Sequence, residues 1–137
     1  KIFFPEDVSV GKNFKDSAQN KNINNISKDD LILDIGPNTI KKILSLIQNS
    51  KTILWNGPAG YFENKNFAIG SFELAKEISN QTKLGNIFSV VGGGDTVSVI
   101  NKLKLYKNFN FVSTAGGAFL EYLEGKNLPG IESLNNK

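Results

Sequence analysis

The chain has 137 residues, with 16 basic against 13 acidic side chains, a net charge of +3, 39% hydrophobic and 21% charged residues, enough for one globular domain with its own core. It has no Cys and no His, and every basic residue is Lys, which excludes disulfides, thiolate zinc sites, a cysteine nucleophile, a histidine base and guanidinium clamps. No apolar run approaches the roughly 18 residues of a membrane span, and the lysines form no dense basic stretch, so neither a membrane nor a nucleic acid is expected as a partner.

The start, Lys1-Ile2-Phe3-Phe4-Pro5-Glu6-Asp7, lacks the apolar core and cleavage site of a secretory signal. It begins with Lys rather than Met, so a fragment is expected. Residues 1–10 read as one or two short extended pieces broken at Pro5, and residues 11–30, rich in Lys, Asn and Asp, as a surface loop. The sequons at Asn25 and Asn80 are read as chance matches, since no secretory signal accompanies them.

Leu31-Ile32-Leu33-Asp34-Ile35-Gly36-Pro37 is an apolar strand ending in a turn, with Pro37 suited to a first helical turn. Ile40, Ile43, Leu44 and Ile47 recur at helical spacing, which predicts an amphipathic helix over 38–49. Thr52-Ile53-Leu54-Trp55 is a second strand, and Asn56-Gly57-Pro58-Ala59-Gly60 cannot continue it. A helix follows over about 66–80, then a third strand, Asn86–Val91, running directly into Gly92-Gly93-Gly94-Asp95-Thr96. Val97, Ile100 and Leu103 share a helical face. Phe109, Phe111 and Val112 mark a fourth strand, followed by Ser113-Thr114-Ala115-Gly116-Gly117. A short helix through Phe119, Leu120 and Leu123 ends at a capping glycine, Gly125, and the tail 127–137 reads as extended.

Repeated strand, loop and helix predict an α/β fold: an open parallel sheet with helices on both faces, Rossmann-like and three-layered. Right-handed crossovers put every strand-to-helix loop at the carboxyl edge. Three glycine-rich loops distant in sequence should therefore meet.

Gly92, Gly93 and Gly94 let backbone approach an anion closely, and the helix behind them offers free N–H groups. Asp95 is placed to hold Mg²⁺ on bound phosphates, and Thr96 to add a hydroxyl. The same residues also read as a plain turn with a helix cap. Asn56, Gly57, Tyr61 and Glu63 offer an amide, close backbone, a ring for a base face and a carboxylate for ribose hydroxyls, or else ordinary rim packing. Gly116 and Gly117 open another helix and add a second set of N–H donors. A P-loop sequence is absent, and Val97 stands where a dinucleotide fingerprint has its third small residue.

Taken in order, Asp34-Ile35-Gly36-Pro37 with Thr39, Trp55-Asn56-Gly57-Pro58-Ala59-Gly60 with Phe62-Glu63, Phe67-Ala68 with Gly70, Gly92–Thr96, Val112-Ser113-Thr114 with Gly116-Gly117-Ala118, Leu120-Glu121 with Leu123–Lys126, and Leu128-Pro129-Gly130 form a series. It resembles the C-terminal part of phosphoglycerate kinases over nearly the whole chain. The resemblance implies that residues 1–125 are part of the nucleotide-binding domain, itself incomplete, and that 126–137 return toward an N-terminal domain absent here. It further implies a cytoplasmic, monomeric full-length enzyme of glycolysis. That enzyme transfers a phosphoryl group reversibly between 1,3-bisphosphoglycerate and ADP, giving 3-phosphoglycerate and ATP, with Mg²⁺. Carried over, Asn56, Gly57 and Pro58 match the loop that contacts the adenine nucleotide. Glu63 matches the ribose-binding carboxylate, and Tyr61 stands where an apolar residue meets the base. Gly93 with Asp95 and Thr96 matches the phosphate and magnesium contacts, while Gly116 and Gly117 match the loop that helps hold the transferring phosphoryl. Asn38, Ala115 and Phe119 depart from the family pattern; Ala115 requires a negative φ, and Phe119 is bulkier than the small polar residue usual there. The resemblance implies that this stretch alone does not turn over. Two other readings stand beside it: a stand-alone nucleotide-binding module, and a degenerate relative kept for protein contacts.

Overall fold

The computed structural model describes residues 1–135. Among the described residues, six strands form two three-stranded sheets. In the first, β1 (Asp7–Gly11) lies between β2 (Gln19–Asn22) and β3 (Leu31–Ile35), antiparallel to both. Its central place explains its burial along all five residues. In the second, β4 (Thr52–Asn56), β5 (Phe88–Gly92) and β6 (Phe111–Ser113) run parallel in that order.

The expected parallel, helix-flanked sheet is thus present in three of the four anticipated strands. Leu31–Ile35 forms the other sheet instead, because the N-terminal strand pairs with it, opposing Val8 to Ile35 and Ser9 to Asp34. Residues 11–30, read as a loop, contain β2 and a short 3₁₀ turn at Ile23–Asn25. Gln19–Asn22 has no apolar residue; it is an edge strand with three of its four residues exposed, held by its ladder to β1. Asp30 organises this segment: Lys21 Nζ lies 2.7 Å and Lys12 Nζ 3.0 Å from its carboxylate, and Ser27 N–H donates to it at 2.8 Å. The Lys21 bond first, then the Ser27 N–H and Lys12, hold its carboxyl well below the usual range.

Helix α1 (Pro37–Gln48) has Pro37 at its start and turns Ile40 and Ile47 into the core, with Ile43 and Leu44 packed beside them. Asp7 caps it from β1. Its carboxylate accepts from Asn38 N–H at 3.0 Å, Thr39 N–H at 2.7 Å and Thr39 Oγ1 at 2.7 Å. Burial opposes the charge, but these donors outweigh it and keep the carboxyl below its ordinary value.

Helix α2 (Ile69–Lys83) begins later than expected, because Phe67 belongs to a preceding 3₁₀ turn, Lys65–Phe67. It buries Leu74, Ala75 and Ile78 against Trp55, Ile87, Val91, Val99 and Ile100. Helix α3 (Gly94–Lys102) follows β5, and α4 (Gly116–Leu123) follows β6. The strand expected to include Phe109 starts only at Phe111, after a 3₁₀ turn. Gly125 ends α4 with φ +81°, and its N–H and that of Lys126 donate to Tyr122 and Glu121 carbonyls, the arrangement of a left-handed helix stop. The tail is not extended: α5 (Pro129–Asn135) forms there, its first turn closed by Ile131 and Glu132 N–H groups on the Leu128 carbonyl. No helix among the described residues is long and apolar enough to cross a membrane.

Candidate functional site

Parallel pairing sets the carboxyl ends of three strands level. Asn56, the last residue of β4, lies opposite Gly92, the last of β5, and Gly92 lies opposite Ser113, the last of β6. The three glycine-rich segments therefore leave the sheet from a single row of residues.

They are also bonded to one another. Gly57 N–H donates to Thr96 Oγ1 at 2.8 Å, and Gly93 N–H donates to the Ser113 carbonyl at 3.1 Å. Gly93 has φ +91°, and a Cβ there would stand 2.7 Å from Asn56 Oδ1, so both conformation and space demand glycine. A Cβ on Gly116 would stand 2.9 Å from Gly93 Cα. The second and third loops thus touch backbone to backbone, with the Asn56 amide beside them.

Two helices start at this junction. Their N-caps are Gly93 for α3 and Ala115 for α4, and neither cap supplies a side-chain hydrogen bond. The first-turn N–H groups remain available at the positive ends of both helix dipoles. Two such ends side by side suit a polyanion. Asp95 is exposed in the first turn of α3. Among the described residues no group of three or more acidic ligands gathers. A cation on Asp95 would take its other ligands from phosphate oxygens and water, as Mg²⁺ commonly does. The donor set fits that ion.

Thr96 is fully buried, and its oxygen braces the first loop against the second. Gly94 and Gly117 face open space, and Pro58 is half-buried. Ala115 has the negative φ it requires, −91°. Phe119 packs on Phe111 with ring centroids 6.3 Å apart, and its edge would lie 3.3 Å from a Cβ on Gly92. Tyr61 and Glu63 are exposed and line an open cleft with Phe14, Lys15, Asn64 and Lys65. That cleft includes none of the glycine-loop residues. The Tyr61 ring already tilts against Phe14, 5.0 Å between centroids.

Residues 1–126 match the family model described as phosphoglycerate kinase. The chain belongs to the phosphoglycerate kinase family. It is similar to the phosphoglycerate kinase of Zymomonas mobilis, 46% identical over 136 residues, covering 98% of this chain and 34% of that protein. It is 49% identical to the phosphoglycerate kinase of Buchnera aphidicola over 135 residues, 97% of this chain and 34% of that one. The structure of phosphoglycerate kinase from Coxiella burnetii superposes with a TM-score of 0.86 at 42% identity, over 96% of this chain and 33% of that one. The phosphoglycerate kinase from Pyrococcus horikoshii superposes with a TM-score of 0.78 at 31% identity, over 96% and 32%. The chain thus spans about a third of the length of the phosphoglycerate kinases it matches.

The motif Asp34-Ile35-Gly36-Pro37 assigns Asp34 no role by itself. It is 2% exposed. Its carboxylate accepts from Gly70 N–H at 2.8 Å and Ile35 N–H at 2.9 Å. Burial pushes its carboxyl up to about 6, against the pull of those two bonds. The signal available in the sequence is a lone carboxylate inside the apolar run Leu31–Ile35, since a buried charge requires donors from elsewhere in the fold.

Proposed function

We propose that this chain is the C-terminal, nucleotide-binding portion of a cytoplasmic phosphoglycerate kinase, with residues 1–125 in the nucleotide domain and 126–137 returning toward the N-terminal domain. The full-length enzyme, a monomer, transfers a phosphoryl group reversibly between 1,3-bisphosphoglycerate and ADP in glycolysis. This chain supplies the nucleotide side alone. The observation that carries the reading is the junction of Asn56, Gly93 and Gly116, where two uncapped helix N-termini meet.

In this reading the N–H groups that open α3 and α4 receive phosphate oxygens, Gly93 and Gly116 keep the backbone close enough to do so, and Gly117 leaves the approach open. Asn56, Gly57 and Pro58 border the phosphate chain, while Tyr61 and Glu63 meet the base and ribose. Phosphoryl transfer depends chiefly on positioning and charge neutralisation, and oriented backbone dipoles provide both without side-chain chemistry. Asp95 would hold Mg²⁺, which when bound neutralises charge on the phosphate oxygens. The chain contains no Arg and no His, so the phosphoglycerate side belongs to the remaining length of such an enzyme, and the chain alone does not turn over.

The test is titration of the chain with ADP in the presence and absence of Mg²⁺, for the wild type and Asp95→Ala. Weak binding that strengthens with Mg²⁺ is expected, with the metal dependence abolished in the variant and thermal stability unchanged. Absence of nucleotide binding even after the preceding two-thirds of a relative is joined to the chain would leave a degenerate module as the answer.

A further inference from the structure

Two buried groups outside the phosphate junction hold the loop that follows β4. Ser71, fully buried near the start of α2, accepts from Ala59 N–H at 3.0 Å and Gly60 N–H at 3.3 Å through Oγ. One residue earlier in the same helix, Gly70 N–H donates to Asp34. The Asp34 carboxylate in turn fills the space between two glycines: a Cβ on Gly60 would stand 2.4 Å from Oδ1, and one on Gly70 would stand 2.3 Å from it. The next residue of the loop, Tyr61, donates its N–H to the Leu33 carbonyl at 2.7 Å.

We infer that Asp34 and Ser71 are positioning residues for the nucleotide, acting through the segment Ala59–Glu63. The inference rests on the nucleotide reading above. Burying a carboxylate is costly, and among the described residues it has only backbone N–H partners and no cation. A helix end needs no carboxylate so deeply placed, since an exposed Ser or Asp caps as well. What the buried pair adds is a fixed seat. Asp34 locks the start of α2 to the end of β3, and Ser71, rigid on that helix, sets the height of Ala59 and Gly60. The upstream end of the same loop is braced by Gly57 on Thr96. The loop is thus held at both ends, and the side chains assigned to base and ribose leave from its downstream end.

The experiment uses the full chain with Mg-ADP as the probe, followed by calorimetric titration, and amide hydrogen exchange on the free protein. Ser71→Ala removes the acceptor of two N–H groups; Gly60→Ala drives the loop away from Asp34. The expected result is faster exchange at Ala59 and Gly60 in Ser71→Ala, and at Tyr61 in Gly60→Ala. Mg-ADP affinity should weaken about threefold to tenfold in each, while exchange in β5 and α3 stays as in the wild type. If the wild type binds and both variants bind equally well, or if the loop amides exchange unchanged, the positioning role is overturned and the nucleotide reading stands. If the wild type itself does not bind Mg-ADP, the nucleotide reading fails and this inference falls with it.

Discussion

Asp34→Asn is expected to change how stability depends on pH, because the wild-type carboxyl is neutral over part of the range where an unfolded one is charged. In the folded chain this carboxyl is raised to about 6 from an ordinary value of 3.8. Below about pH 4 it is protonated in both states and costs nothing. As the pH rises from 4 to 6 the unfolded chain releases the proton while the folded chain retains it, so stability falls. Above 6 both states are ionised and the cost is constant. At 1.36 kcal/mol per pH unit, the interval gives a loss of about 3 kcal/mol. The lowered carboxyls of Asp7 and Asp30 act with the opposite sign: their stabilisation is present above their unfolded values and is lost at lower pH, as each passes through its folded value. The two effects occupy separate windows.

Asparagine carries no charge, but it can accept at only one of the two oxygen positions that now serve Gly70 and Ile35. Leaving one buried N–H without a partner costs about 1–3 kcal/mol at every pH. The difference between wild type and variant should therefore shift by about 3 kcal/mol in favour of asparagine between pH 4 and pH 7. Urea unfolding of both proteins at half-unit steps measures it directly. Parallel stability curves would refute the reasoning, since they would mean that Asp34 ionises equally easily in both states.

Two further substitutions probe the scaffold. Gly93→Ala places a Cβ on a residue with φ +91°, 2.7 Å from Asn56 Oδ1, and should cost about 1–3 kcal/mol in urea unfolding while abolishing Mg-ADP binding; full retention of both would remove Gly93 from the site. Asp7→Ala strips three donors of their acceptor at the start of α1 and should destabilise the chain by about 2 kcal/mol, read by the same unfolding assay, with a loss under about 0.5 kcal/mol counting against the cap.

What could be read from sequence divides by the range of the interaction that decides it. Ile40, Ile43, Leu44 and Ile47 reveal α1 because helical burial repeats within one element. The convergence of the glycine loops is equally legible, since parallel strands joined by right-handed crossovers carry their loops to one edge, and Asn56, Gly92 and Ser113 do end level. The partner of a strand is a different matter. Leu31–Ile35 and Thr52–Asn56 are similar apolar runs, yet one pairs antiparallel with β1 and the other parallel with β5. Nothing in either run records that choice. Gln19–Asn22 is more opaque still, because its strand state comes from the backbone ladder to β1 and not from any buried side chain. The same reasoning applies to the site. Backbone chemistry is announced by glycine, whereas the groups that hold that backbone are ordinary residues placed by contacts 36 residues apart for Asp34 and Gly70 and 39 for Gly57 and Thr96. A carboxylate within an apolar strand and a serine on a helix become meaningful only when the fold supplies the N–H groups that face them. In the loop that follows β4, those buried side chains, Ser71 on Ala59 and Gly60 and Asp34 on Gly70, hold the backbone that the glycines leave free.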